Sequence, residues 1–399
     1  MATIYQLPQR KPKTKTIDLG GGNLITINPD GTRTVIISDL GRDLDDEFTM
    51  VLAMSLRAAG VLNFAGVVAN YAPSIDRARI AKGTLDVLGG EDIFVATGTQ
   101  CASDVNLQEY EVMVPYIADT SRLTDGSSLL KVLLETAPDK GVRLVLISGF
   151  TDMAKFLIGD EDGLCARKIE SATIMGGIQV DDEGNLVLGG LSAKEPFLLP
   201  DDAANNKFDP AAAQYMYRAF QERGTPMTIL TRHAAYGAQM PFTLYDEMMA
   251  TGHPVGAGLQ TRQKQSLQHL WKRCNMEDDD PDREGLPPRC NRTWFTKVFC
   301  AGEDPEATGQ ESVWPYVDKF QLYDPMTLLS SIPEIRDELF APHEVTVKGT
   351  VHRIIGLTGA LHGVKEPKLL RSVLTDHLVG VLAHLMNEEE DDSTIVKIG

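Results

Sequence analysis

Along the chain, a short continuous apolar run is followed by a polar or glycine-rich turn and then by a segment whose apolar residues recur at helical spacing, and this unit repeats. The apolar runs fall at 34–38, 64–69, 93–96, 144–148, 172–175 and 227–231, and the helical segments at 47–59, 74–88, 127–136, 151–157 and 211–223. Runs without polar alternation predict strands buried on both faces, the condition of a parallel sheet. Strands alternating with helices predict an α/β fold: an open, mostly parallel sheet wrapped by helices, with its binding crevice at the carboxyl ends of the strands. Ahead of the first core strand, 24–37 reads as two β-rich runs around Asn28-Pro29-Asp30-Gly31, the pattern of a hairpin.

Three stretches depart from this rhythm. Residues 1–16 are polar and basic and read as a flexible leader without fold. The acidic, proline-containing stretch 276–289, flanked by Trp271 and Trp294, reads as a solvated, cap-like insertion near 272–315 anchored close to the crevice. An amphipathic helix at 369–386 precedes an acidic tail at 388–399. Residues 17–387 are then expected to form a single α/β domain carrying that insertion.

Composition narrows the function. The chain has 399 residues, 43% hydrophobic and 24% charged, enough for a sizeable core. Its net charge of −18 repels phosphate backbones and anionic lipid, which argues against nucleic acid and membrane surfaces as partners and leaves carboxylates to serve a cation. Cys101, Cys165, Cys274, Cys290 and Cys300 are odd in number and never in CxxC spacing. They argue against a disulfide framework and a zinc site, and for a reducing, cytoplasmic setting. No run approaches the roughly 18 apolar residues of a spanning helix, and 1–16 lacks the apolar core of a Sec signal.

The distinctive polar motifs follow predicted strands. After 35–37 comes Ser38-Asp39-Leu40-Gly41-Arg42-Asp43-Leu44-Asp45-Asp46, with four carboxylates in eight residues. One Asp there would be an ordinary helix N-cap, worth about 1 kcal/mol. Four repel one another unless a positive charge sits among them. A hard cation held by carboxylate and carbonyl oxygens is the simplest compensation, and Ca²⁺ tolerates flexible, bidentate ligands better than Mg²⁺. The motif Ser148-Gly149-Phe150-Thr151-Asp152 would by itself mean tight helix–sheet packing. Met175-Gly176-Gly177, Gly184-Asn185 and Asn205-Asn206-Lys207-Phe208-Asp209-Pro210 read singly as turns and caps, and Leu322-Tyr323-Asp324-Pro325 as the start of a turn or helix.

Taken together, in order and placement over roughly 34–360, these motifs resemble the inosine-uridine-preferring nucleoside hydrolase family, whose opening motif is Asp-Pro-Gly-x-Asp-Asp. The resemblance implies the nucleoside hydrolase fold and a Ca²⁺ ligated by Asp39, Asp46, Asp324 and the main-chain carbonyl of Ile147. It further implies that Asp45, Asn70, Asn185 and Asn205 hold ribose hydroxyls and that Asp39 accepts a proton from the attacking water. The implied activity is calcium-dependent hydrolysis of an N-ribosidic bond in a nucleoside or related ribosyl compound.

The chain departs from the family pattern in three places. Arg42 and Asp43 are inserted in the opening motif, Tyr323 stands where the family has His, and Ala203 stands where it has an acidic residue. Tyr323 would donate to the leaving group or stack on a base, with His233 as a substitute donor. The family's acid accepts from the ribose 5′-hydroxyl, so Ala203 removes a repulsion toward a 5′-phosphate, and Lys194, Lys207 and Arg232 could border the vacated space. The extended motif with Tyr-Asp-Pro looks most like the nucleoside-hydrolase-like effectors that plant-pathogenic bacteria inject through type III secretion. That likeness implies an alternative: a catalytically weak or inactive binder of ADP-ribose-type ligands, delivered into a host cell's cytoplasm as a virulence effector, with a host protein as further partner. The oligomeric state is left open by the sequence.

Overall fold

In the computed structural model, the described residues are 15–18, 24–27, 31–41, 44–101, 114–189, 196–283, 286, 288–308 and 312–394, with backbone alone at 15–18, 24–27 and 388–394. The strands of the central sheet are Arg33–Ser38 (β1), Asn63–Ala69 (β2), Phe94–Thr97 (β3), Thr124–Asp125 (β4), Val142–Leu146 (β5), Ile169–Met175 (β6), Met227–Leu230 (β7), His343–Val347 (β8) and Thr350–Ile355 (β9). The longer helices are Asp45–Ala58 (α1), Ser74–Val87 (α2), Gly126–Glu135 (α3), Thr151–Ile158 (α4), Pro210–Glu222 (α5), Thr243–Ala250 (α6), Pro254–Cys274 (α7), Arg292–Phe299 (α8), Tyr323–Ser331 (α9) and Pro367–Thr394 (α10).

Among the described residues the strand order is β8-β9-β7-β6-β5-β1-β2-β3-β4, and every neighbouring pair is parallel except β8 with β9. The two-residue period of a strand explains why β1 can sit inside. Ile36 packs into one core with α1, α2 and α10, while Val35 and Ile37 pack into a second core with α3, α4 and α5. From β1 the chain walks outward through β2, β3 and β4, then returns to lay β5 on the opposite flank of β1. That reversal opens the sheet between the ends of β1 and β5, where a doubly wound sheet places its ligands. Asp39 follows β1 and Ser148 follows β5 at this point.

The six apolar runs and five helical segments expected from the sequence all correspond to elements of the fold. Several other expectations change. Leu24–Ile27 pairs antiparallel with Lys15–Asp18, and β1 enters the central sheet, so the two runs around Pro29 do not form the expected hairpin with each other. Of the leader drawn at 1–16, residues 1–14 lie outside the described residues. The backbone of α10 stays helical through 388–392 to Thr394, where an acidic tail was expected, and 395–399 lie outside the described residues. By length and composition Pro367–Asn387 could cross a membrane, contrary to the sequence reading. Yet Leu370, Val373, Leu374, Leu378 and Leu382 are buried in the core at helical spacing, the pattern of a helix that lays one apolar stripe on the core.

The excursion that carries the insertion is wider than 272–315. Met240–Pro241 pairs with Lys319–Phe320, so the chain leaves and returns on this short ribbon and builds α6, α7 and α8 between. Its apolar residues extend the core that holds α1, with Trp271 against Phe295 at 5.0 Å and Phe295 against Phe299 at 4.9 Å. The acidic stretch wraps a buried arginine: Arg283 donates to the carbonyls of Met276, Pro288 and Cys290. At the far edge, β8 turns into β9 through Lys348 and Gly349, both at positive φ (48° and 80°), the conformation a two-residue hairpin requires.

On β9, His352 is fully buried and its Nδ1 accepts from the Met227 N–H at 3.1 Å, while its Nε2 has no partner among the described residues. Burial lowers its pKa from 6.5 to about 4, with the Arg353 charge a lesser cause. The native state therefore excludes a proton that the unfolded chain binds once the pH drops below 6.5. We predict that this residue costs up to about 3 kcal/mol of stability as the pH falls from 6.5 to 4. Chemical denaturation across that range should give a flatter pH profile for His352→Asn than for the wild type; parallel profiles would refute the assignment.

Candidate functional site

The opening acidic motif folds into a turn and the first turn of α1. Gly41, at φ 100°, makes the turn out of Asp39-Leu40 in a conformation that side chains resist. Arg42 and Asp43, the inserted pair, lie outside the described residues. Asp45 and Asp46 then open α1. Asp46 is 2% exposed, and its Oδ1 accepts from Ser38 Oγ at 2.5 Å and from the Asp39 N–H at 3.1 Å. Asp45 reaches the other way: its Oδ2 accepts from the backbone N–H groups of Tyr323 and Asp324, at 3.2 and 3.4 Å, where α9 begins.

These contacts draw two segments nearly 280 residues apart into one cluster. Oxygens of Asp45, Asp46 and Asp324 all lie within 4.8 Å of one another, and Asp46 and Asp324 are buried. Burial pushes the Asp46 carboxyl well above its usual range, and the charges of Asp39 and Asp45 push it the same way; the hydrogen bonds from Ser38 and the Asp39 N–H only partly oppose them. This is the electrostatic signature of a site lacking positive charge. The cluster is all oxygen, with neither sulfur nor imidazole among its three members, and so suits a hard divalent cation such as Ca²⁺.

Of the four ligands expected from the sequence, Asp46 and Asp324 converge directly, joined by Asp45, which the sequence reading assigned to ribose. Asp39, 5% exposed, acts on Asp46 through its charge and its backbone N–H. Ile147 donates its N–H to the Ile37 carbonyl at 2.9 Å, which sets the end of β5 beside the end of β1. A residue that sequence reasoning missed fastens this corner. Arg77, fully buried on α2, donates through Nη1 to the carbonyls of Asp39 and Leu40, each at 2.8 Å, and through Nε and Nη2 to the carbonyl of Ala72. Its signal in the sequence was an arginine on the otherwise small and apolar face Ala78, Ile80, Ala81.

The three asparagines expected at the ribose separate into three places. Asn70 is fully buried at the end of β2; its Nδ2 donates to the Gly149 carbonyl and to Asp152 Oδ2, both at 2.8 Å, and its Oδ1 accepts from Ser148 Oγ at 2.5 Å. It thus ties the second sequence motif to the crevice floor. Asp152 also accepts from the N–H and hydroxyl of Thr99, each at 2.9 Å. Asn205 donates to the Met175 carbonyl at 3.0 Å, at the end of β6. Its neighbour Asn206 is the more deeply buried and holds Gly177 and Asp201. Asn185 sits in an exposed turn, where its amide donates to Asp181.

An aromatic row borders the cluster. Tyr323 meets Tyr236 edge-on at 6.4 Å, and Tyr236 meets His233 at 6.3 Å. Burial and the adjacent Arg232 lower the His233 pKa, with Asp201 opposing, so its ring is neutral at pH 7. Ala203 starts the helix Ala204–Lys207, its N–H donating to Asp201 Oδ1 at 2.8 Å. Lys207 and Arg232 both face Asp202, at 3.2 and 4.0 Å, along a cavity of about 610 Å³; Lys194 lies outside the described residues.

Because the Asp46 carboxylate is held in a buried, negatively charged setting, neutralising it should stabilise the cation-free fold. We predict that Asp46→Asn raises Tm by a few degrees in chelator, and that whatever rise CaCl₂ gives the wild type is lost in the variant. Thermal melts with EDTA and with CaCl₂ check both; a lower Tm in EDTA would contradict the electrostatic account.

A scan against protein-family models and a sequence search of curated proteins find no match. Solved structures do match. The type III effector protein XopQ, complexed with adenosine diphosphate ribose, is 30% identical with a TM-score of 0.72, over 88% of this chain and 94% of that one. The effector protein XOO4466 is likewise 30% identical, with a TM-score of 0.70 over the same shares. The purine-preferring ribonucleoside hydrolase from Gardnerella vaginalis, at 14% identity and a TM-score of 0.53, covers 88% of this chain and 99% of its own, and shares the fold. The chain belongs to the family of nucleoside-hydrolase-like effectors that includes XopQ and XOO4466.

Proposed function

We propose that the crevice between β1 and β5 is a ribosyl-ligand site organised by Ca²⁺, and that it hydrolyses an N-ribosidic bond of a 5′-phosphorylated riboside. The observation that carries this reading is the convergence of Asp45, Asp46 and Asp324 within 4.8 Å at the carboxyl end of the sheet. Those three residues would hold the cation, with Asp39 and the Ile147 carbonyl at its border. When bound, the cation supplies the positive charge that polarises a water and the ribose hydroxyls.

In this reading Asp39 accepts the proton of the attacking water as its oxygen bonds to the anomeric carbon and the carbon–nitrogen bond breaks. The surrounding carboxylates stabilise the oxocarbenium-like charge that develops on the sugar. Asn205, half-buried beside Met175, borders the sugar, and the buried Asn70 keeps the floor rigid. Tyr323 lies next to Asp324 and faces the departing group. A phenol with pKa near 10 keeps its proton at neutral pH but releases it poorly, so chemistry at this step is slower than with imidazole.

That feature favours a second reading, in which the site binds its ligand with little or no turnover and the protein acts as an effector inside a host cell. The ADP-ribose held by XopQ supports the ligand class in both readings. Ala203, which carries no charge to repel a 5′-phosphate, supports a phosphorylated ligand; Lys207 and Arg232 line the neighbouring cavity, where both face Asp202.

Release of free base from a panel of nucleosides and 5′-phosphorylated ribosides, with CaCl₂ and with EDTA, separates the readings. Calcium-dependent release supports turnover; calorimetric binding without release supports the second reading; neither binding nor release overturns both. ADP-ribose should bind more tightly than inosine or uridine, and Ala203→Glu should reverse the order, weakening ADP-ribose by about tenfold or more. Tyr323→Ala should weaken ligand binding or turnover while Ca²⁺ affinity stays nearly unchanged; equal loss of both would make Tyr323 a support for Asp324.

A further inference from the structure

Glu47 follows Asp45 and Asp46 on α1 but looks elsewhere, since successive helical residues are turned by about 100°. It is 1% exposed, and its partners come from three separate parts of the chain. Its Oε1 accepts from Thr84 Oγ1 on α2 at 3.0 Å and from Tyr116 Oη at 2.6 Å. Its Oε2 accepts from Nη2 of Arg262, which is 2% exposed on α7. The same nitrogen lies 3.4 Å from Tyr116 Oη, and Arg262 Nε donates to the Gly258 carbonyl at 3.2 Å.

Two glycines make room for this arrangement. A Cβ at Gly83 would stand 1.6 Å from the Tyr116 carbonyl oxygen, and one at Gly258 would stand 3.0 Å from Tyr116 Oη. A buried carboxylate without a partner costs several kcal/mol, so the fold holds Glu47 where these groups converge.

We infer that Arg262, supplied by the excursion that carries the insertion, is a positioning residue for the cation site. By holding Glu47 it fixes the rotation of α1 about its own axis, and so keeps Asp45 and Asp46 turned toward Asp324 against their mutual repulsion. The inference rests on the cation reading proposed above. It assigns the excursion between Met240–Pro241 and Lys319–Phe320 a role at the site without contact with the cation or the ligand.

Charge alone predicts the opposite sign. A guanidinium near a cation site opposes cation binding by Coulomb repulsion, so its removal would tighten Ca²⁺. Positioning predicts weakening, because the carboxylates relax apart when α1 is released. Groups that orient metal ligands typically contribute about 10–100-fold in affinity.

The test is calorimetric titration of CaCl₂ into the full chain as wild type, Arg262→Met and Arg262→Lys, with circular dichroism as the check on folding. Arg262→Met should bind Ca²⁺ about tenfold or more weakly than wild type with an unchanged spectrum; binding as tight as wild type, or tighter, overturns the inference. If Arg262→Met fails to fold, Arg262→Lys decides, since it keeps the charge and loses the planar fork. Weaker Ca²⁺ binding by the lysine variant supports positioning, and unchanged or tighter binding overturns it. A wild type that takes up no Ca²⁺ overturns the cation reading itself, and this inference with it.

Discussion

Mutual repulsion among carboxylates at the head of α1 is the constraint around which the rest of this structure is arranged. Asp45, Asp46 and Asp324 offer oxygens within 4.8 Å of one another, two of the three residues are buried, and Asp39 adds its charge to Asp46. Left to themselves such groups separate or take up protons. Here they are held together by contacts that do not neutralise them. Ser38 and the Asp39 N–H grip Asp46, and the N–H groups at the start of α9 grip Asp45. Hydrogen bonding thus keeps the three carboxylates concentrated at one point, the arrangement on which the proposed cation site rests.

The topology explains where this happens. Reversal of strand order places the end of β1 beside the end of β5, and the loops after these strands diverge to opposite sides of the sheet. Arg77 then fixes the β1 loop to the β2 loop, and Asn70 fixes the β2 end to Ser148, Gly149 and Asp152 after β5. On the far side of α1, Glu47 meets Thr84, Tyr116 and Arg262. The first turn of α1 is thus held from several sides, the condition for presenting ligands without rearrangement.

Much of this was legible in the residues alone. Continuous apolar runs mark β1, β2, β5, β6 and β7 because a strand covered on both faces has no reason to alternate. The acid motif stood out because four carboxylates in eight residues exceed what capping needs, whereas Tyr323-Asp324-Pro325 reads singly as a helix start and gained its role only from the family resemblance. What escaped the pattern did so for physical reasons. β9 carries His352 and Arg353 within its run, and β8 alternates as an edge strand does. Helix α7 is rich in Gln, Lys and Arg, and its buried face includes Gln260 and Arg262, so its apolar spacing is diluted. Arg77 and Arg262 are invisible to hydropathy, since their burial depends on carbonyl and carboxylate partners brought from far along the chain. The contact of the Asp45 carboxylate with the head of α9 likewise lies beyond any local pattern, since only the fold creates it.

The likeness to XopQ and XOO4466 shows the family, and the carboxylate cluster marks the crevice. The most direct measurement of the central claim is long-wavelength X-ray diffraction from crystals grown or soaked in CaCl₂. The account predicts an anomalous peak about 2.3–2.6 Å from oxygens of Asp45, Asp46 and Asp324. A crystal that binds calcium elsewhere, or shows no peak among these three residues at saturating calcium, would contradict it.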